Sequence, residues 1–119
     1  MQQNSRLLLL SLSLFFLPFI FSDAKKGSII GGWTRIKDIK DPHVTKIAEF
    51  AVNEYNKLSS SSLILQKVVK GETQVVAGIN YRLVLKAKNG SVAKKYQAVV
   101  WEKSWLNFRN LTSFTLVKG

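Results

Sequence analysis

Cysteine is absent from this sequence, histidine occurs once, and seven acidic residues stand against 18 lysines and arginines. Each shortage closes off a class of functions. Without cysteine there is no disulfide, no thiol nucleophile and no thiolate metal site. A Ser–His–Asp arrangement would have to use His43, one place after Pro42 at a helix start, where it reads as a solvent-facing polar residue. A lone histidine is equally thin as a metal site. The carboxylates do not pair for acid–base work either: Glu49 and Glu54 are five apart and point to different sides of a helix. The run from Gly27 to Gly32 lacks the Lys and Ser/Thr of a phosphate loop. The chain reads as a non-enzyme that needs no cofactor and no metal.

What is present begins with a leader. Met1 to Arg6 is a polar head with one positive charge, Leu7 to Phe21 is almost wholly apolar, and Ser22-Asp23-Ala24 offers small residues before Lys25-Lys26. That order is the pattern of a secretory signal peptide. A spanning helix needs about 20 apolar residues, and this run is shorter and contains Pro18. The expected organisation is a signal peptide over residues 1–24 and one domain over residues 25–119. Its expected destination is the secretory pathway, extracellular or vacuolar, with no membrane association after cleavage. A domain of that size often adds disulfides when secreted. Here packing must supply the stability, and a 46% hydrophobic content is adequate for it.

Along the remaining chain, residues 27–32 carry three glycines and no periodicity, the mark of a flexible arm. Trp33 to Ile36 is compatible with a short strand. Asp41-Pro42 is a helix start, with Asp able to accept from free amides and Pro preset for the first helical position. Val44, Ile47, Ala48, Ala51, Val52, Tyr55 and Leu58 then recur at spacings of three and four, while Lys46, Glu49, Asn53, Asn56 and Lys57 occupy the other side. Ser59 to Ser62 end the helix.

From Leu63 onward the pattern changes to strands. Leu63 to Ala87 is too long for one ordinary strand of roughly 3–10 residues and must reverse. Composition favours a turn at Lys70-Gly71-Glu72, with Gln74 to Gly78 as the other choice. Tyr81, Leu83, Leu85 and Ala87 alternate with Asn80, Arg82, Val84 and Lys86, as in a sheet with one covered face. Asn89-Gly90 is a hairpin signal, and Val92–Lys103 and Asn107–Lys118 read as two further strands around Ser104-Trp105-Leu106. The expected fold is α+β: one α-helix packed across a four- to five-stranded antiparallel β-sheet, stabilised mainly by that contact at roughly 25 cal/mol per Å² of apolar area. Asn89-Gly90-Ser91 and Asn110-Leu111-Thr112 are N-glycosylation sequons.

The basic excess favours acidic surroundings in general. Nucleic acid is disfavoured, because the chain is exported and its lysines are scattered. Lys86, Lys88, Lys94 and Lys95 cluster at one turn and read as a solvated hairpin end. Three places stand out for binding. Gly31-Gly32 permits close backbone approach or is a plain flexible terminus. Gln74-Val75-Val76-Ala77-Gly78 is an exposed apolar tip or a buried strand segment. Trp105 is a core plug or an interface anchor.

In order and spacing these residues resemble the cystatins, and specifically the plant branch, the phytocystatins. The segment Ile47-Ala48-Glu49-Phe50-Ala51-Val52-Asn53-Glu54-Tyr55-Asn56 is similar to their helix signature. Gln74-Val75-Val76-Ala77-Gly78 matches the Gln-x-Val-x-Gly loop at every fixed position, Gly31-Gly32 matches the N-terminal glycine element, and Trp105 matches the tryptophan of the second loop. The likeness covers essentially all of Gly31 to Lys118. It implies reversible competitive inhibition of papain-like cysteine proteases, with the glycine arm and two hairpin loops entering the active-site cleft. It also moves the expected turn to Gln74–Gly78. One departure is Ser104, where the family usually has Pro before the tryptophan. The resemblance implies a monomer, with strand exchange through the first loop as a route to a dimer. The competing expectation is a basic secreted surface-binding or antimicrobial module that acts through charge.

Overall fold

The computed structural model describes residues 32–118, so the proposed leader lies outside the described residues. The chain divides into two units, Met1–Gly32 and Trp33–Gly119, and the fold belongs to the second. Strand β1 (Thr34–Arg35) is followed by helix α1 (Pro42–Ser59) and four long antiparallel strands: β2 (Ile64–Val76), β3 (Gly78–Asn89), β4 (Val92–Lys103) and β5 (Phe108–Leu116). The sheet order is β1-β2-β3-β4-β5. One helix thus lies against a five-stranded antiparallel sheet.

The helix forms where its cap and stripe predict. Asp41 accepts from the His43 amide at 2.8 Å, and Pro42 occupies the first turn. Val44, Ile47, Ala48, Ala51 and Val52 are buried against Leu83, Leu85, Ala87, Ala98 and Val100. Ile47, Leu83, Leu85 and Val100 are fully buried, each contributing about 1.5–3 kcal/mol relative to exposure. Alanines at 48, 51, 87 and 98 let helix and sheet approach closely. At one flank Tyr55 stacks on Phe114, ring centroids 4.2 Å apart, which joins the helix to β5.

Leu58 departs from the expected stripe and is 75% exposed. Leu63 fills that end of the core instead. It is held by Asn56, which was expected on the solvent side. The Asn56 amide donates to the Leu63 carbonyl and its oxygen accepts from the Leu63 amide, both at 2.9 Å.

The reversal within residues 63–87 falls where the resemblance puts it. Val76 pairs with Gly78 across the single residue Ala77, while Lys70, Gly71 and Glu72 run mid-strand opposite Val84, Leu83 and Arg82. Gly71 misled the composition because it is there for packing. A Cβ on it would lie 2.6 Å from Leu83 Cδ2 and 2.9 Å from Ile36 Cδ1, so glycine is required by close approach and not by a turn. The β3–β4 hairpin also shifts by one residue: Asn89 pairs with Val92 and leaves Gly90-Ser91 as the loop, with Gly90 at φ +70°.

Candidate functional site

Two hairpin connections share one end of the sheet. The first is the Ala77 turn between β2 and β3. Its base is tied by Asn80, whose amide donates to Gln74 Oε1 at 3.0 Å. Val75 is 62% exposed, Ala77 is exposed and Val76 is half-buried. Gly78 sits at φ +102°, a conformation side chains rarely adopt, and a Cβ there would come within 2.3 Å of the Glu102 carbonyl oxygen. Only glycine allows so sharp a reversal while its backbone rests against β4.

The second connection is a 3₁₀ turn, Ser104–Leu106, between β4 and β5. Asn107 closes it in the left-handed region at φ 55°, and its amide donates to the Ser104 carbonyl at 3.1 Å. Trp105 is 64% and Leu106 60% exposed. Trp105 is therefore no core plug. Two large apolar side chains at the surface, on the same end of the sheet as the exposed Val75, are a feature of the kind that marks an interface.

A residue the sequence did not single out joins the two connections. Trp101, on β4, donates its indole N–H to the Ala77 carbonyl at 2.8 Å, which anchors the tip of the first loop. Its ring packs edge-on against Phe108 at the start of β5, centroids 5.5 Å apart. Lys103 Nζ lies 4.4 Å from the Trp101 ring centroid and 5.2 Å from that of Phe108. One side chain thus fixes the first loop relative to the root of the second.

Behind the loops lies a second cluster. Glu102 is buried, with 7% exposure. His43 Nε2 stands 2.8 Å from Glu102 Oε1, and Arg109 Nε donates to Oε2 at 3.0 Å. His43 is therefore not the purely solvent-facing residue expected; it fastens the helix start to β4. Burial alone would raise the Glu102 carboxyl, but the hydrogen bonds and charges of His43 and Arg109 outweigh it and hold the group below its ordinary 4.5. Tyr81 is pushed up, first by burial and then by the negative charge and hydrogen bond of Glu102. The cluster is structural in its geometry: its carboxylate is covered and its partners are occupied.

At the β2 edge, β1 adds two residues by pairing Thr34 with Thr73 and Arg35 with Glu72. Trp33 lies over the Arg82 guanidinium at 4.1 Å, and Arg82 is paired with Glu72 at 2.7 Å. Gly32 is exposed, and Gly31 lies outside the described residues. Asn89 and Asn110 are both exposed.

This fold, with paired apolar hairpin tips at one end of the sheet, belongs to the cystatin-like proteinase inhibitors. Residues 36–117 match the family described as aspartic acid proteinase inhibitor (SQAPI). Within that group the chain is a member of the plant branch, the phytocystatins. It is 54% identical over 109 residues to cysteine proteinase inhibitor 5 of Arabidopsis thaliana, covering 91% of this chain and 87% of that one. Among solved structures, the salivary cystatin of the soft tick Ornithodoros moubata superposes with a TM-score of 0.65 at 26% identity, over 74% of this chain and 98% of that one. The squash aspartic acid proteinase inhibitor gives 0.59 at 30% identity, over 73% and 94%. The chain stands with inhibitors, not with enzymes.

Proposed function

We propose that this protein is a reversible competitive inhibitor of papain-like cysteine proteases, acting by insertion of the Val75–Gly78 tip and the Trp105 loop into the active-site cleft. The observation that carries the reading is the pair of neighbouring exposed apolar tips held together by Trp101. Gln74, Val75, Val76, Ala77 and Gly78 form the central contact, Trp105 packs on one side of the cleft, and Gly31 and Gly32 let the arm lie along the other. A preformed tip loses little entropy on docking, so a modest contact can bind tightly. It covers the catalytic thiol while presenting a tight turn that leaves no bond in cleavable position. Residues 1–24 would direct the protein into the secretory pathway, extracellular or vacuolar, where the sequons at Asn89 and Asn110 become usable.

Titration of papain with the purified protein tests the reading; absence of inhibition at micromolar concentration overturns it. Val76→Asp should raise the inhibition constant at least a hundredfold, about 2.7 kcal/mol, with an unchanged melting profile. Normal inhibition by that variant would remove the tip from the mechanism. The family name and the squash relative favour one second reading, an aspartic proteinase target. A parallel titration of pepsin distinguishes the two.

A further inference from the structure

Opposite the helix, the sheet presents an outer face whose charge is arranged by register. Lys67 on β2 pairs with Lys86 on β3, and Lys86 pairs with Lys95 on β4. Three lysines therefore stand in one row across three strands, with neighbouring strands about 4.8 Å apart. Lys70, opposite Val84, and Lys88, opposite Ile64, belong to the same face. Like charges directly opposite one another disfavour strand pairing, and here the arrangement occurs twice in succession.

Nothing in the described residues neutralises the row. Glu72 is committed to Arg82, Glu102 to His43 and Arg109, and Glu54 to Lys57. Asp38 and Asp41 lie before the helix, accepting from the Lys40 and His43 amides. Lys67 stands at the β2 margin, where it also borders the groove that Glu49 lines beside α1, and among the described residues the two form no ion pair. The row also stands six residues along β3 from Asn80, which neighbours the tip, a separation of about 20 Å.

We propose that Lys67, Lys86 and Lys95 form a docking row for a linear acidic polysaccharide, a polyuronate, and that it works independently of the proteinase-binding tip. The register sets one lysine on each of three successive strands, a regular order of positive charge that suits a polymer repeating one carboxylate per sugar. The neighbours on this face favour it over other polyanions. Lys70, Gln97 and Thr115 are polar, and Val84 is sunk to 9% exposure. Two large exposed apolar residues border this face, Ile64 on β2 opposite Lys88 and Val117, whose amide donates to the Lys95 carbonyl; they stand at separate margins of the row, so a membrane gains little by insertion. Trp33 and Trp101 lie at the other end of the sheet, leaving no exposed ring near the row for stacking nucleic-acid bases.

The test compares two charge-matched triple variants, both produced without glycans. Lys67→Thr, Lys86→Thr and Lys95→Thr remove the row with a residue suited to strands. Lys37→Thr, Lys40→Thr and Lys46→Thr remove the same charge from exposed positions near the helix start. On immobilised polygalacturonate at 50–200 mM salt, the row variant should lose at least tenfold in affinity, and its salt slope should fall by about two to three. The control should lose less than threefold. Papain titration should be the same for the row variant and the parent protein. Equal losses in both variants would reduce the effect to net charge and overturn the proposal, as would failure of the parent protein to bind the matrix. Row-dependent binding to vesicles containing 30% anionic lipid that equals or exceeds binding to polygalacturonate would overturn the choice of partner.

Discussion

The two loops at the working end are built in opposite ways. The first reverses over one residue and is fixed at both its tip and its base, by the Trp101 indole on Ala77 and by Asn80 on Gln74. The second is closed by one backbone bond, from Asn107 to Ser104, and its Trp105 is anchored by no described hydrogen bond or ring contact. Its rigidity comes from below, where Arg109 and Glu102 clamp β4 to β5. On the proposed mode of inhibition, one loop would be shaped before docking, and the other would be aimed by its root with a tip free to adjust. Changes in the first loop should act through its form, and changes in the second through its freedom.

The sharpest attack on this contrast is Gly78→Ala. It forces a side chain into positive φ and against the Glu102 carbonyl, and should cost about 3 kcal/mol or more in denaturant unfolding. Inhibition should be lost with it. Next is Glu102→Gln, which weakens the clamp under the second loop. A hydrogen bond to a charged group contributes about 1.5–3 kcal/mol, and urea unfolding at pH 7 should show a loss of that order. The pH dependence has a definite sign. Because the folded carboxyl lies below 4.5, its stabilisation is complete above the unfolded value. It is lost as pH falls from there through the folded one. The parent and the variant should therefore converge in acid. A gap that persists to pH 2 would exclude Glu102 ionisation as the source.

Trp101→Phe keeps an aromatic ring against Phe108 but removes the donor to Ala77. Loss of one such bond is worth about 1 kcal/mol, so the inhibition constant should rise about fivefold. The rise should appear mostly in the association rate, since the free tip is then less often in its binding form. The smallest effect runs in the favourable direction. Ser104→Pro meets an extended predecessor, Lys103 at φ −125° and ψ 94°, outside the helical region that a following proline disfavours. It should stabilise the second loop by about 0.4–1 kcal/mol and tighten inhibition two- to fivefold. No change would mean that Ser104 already holds the turn as firmly as proline can.

Much of this molecule was legible in local sequence. The helix followed from Asp41-Pro42 and the apolar spacing after it, β3 from the alternation around Tyr81 to Ala87, and β4 and β5 from strand-favouring composition on either side of Ser104-Trp105-Leu106. The surface position of Trp105 is not decided by its neighbours in sequence, which suit a plug and an anchor equally; the exposed 3₁₀ turn excludes the plug. Residues that mattered through distant partners were not legible. His43 meets a residue 59 positions away, and Trp101 donates across 24; no window of neighbours carries such information. Leu58 misled for the same reason, since the space it would occupy is taken by Leu63 after the chain has turned. Composition puts a bend at Gly71 because glycine serves two purposes, and composition does not distinguish a hinge from a gap.

That gap has a consequence for the amino-terminal segment. Ile36 sets its terminal methyl into the space a side chain at position 71 would fill, and its amide donates to the Gly71 carbonyl at 2.9 Å. The strand end that leads back toward the glycine arm is thus seated like a peg in a socket cut by one missing carbon. A single added methyl there, remote from either loop, would lift the peg and unmoor the leading strand without altering any residue proposed to touch a target.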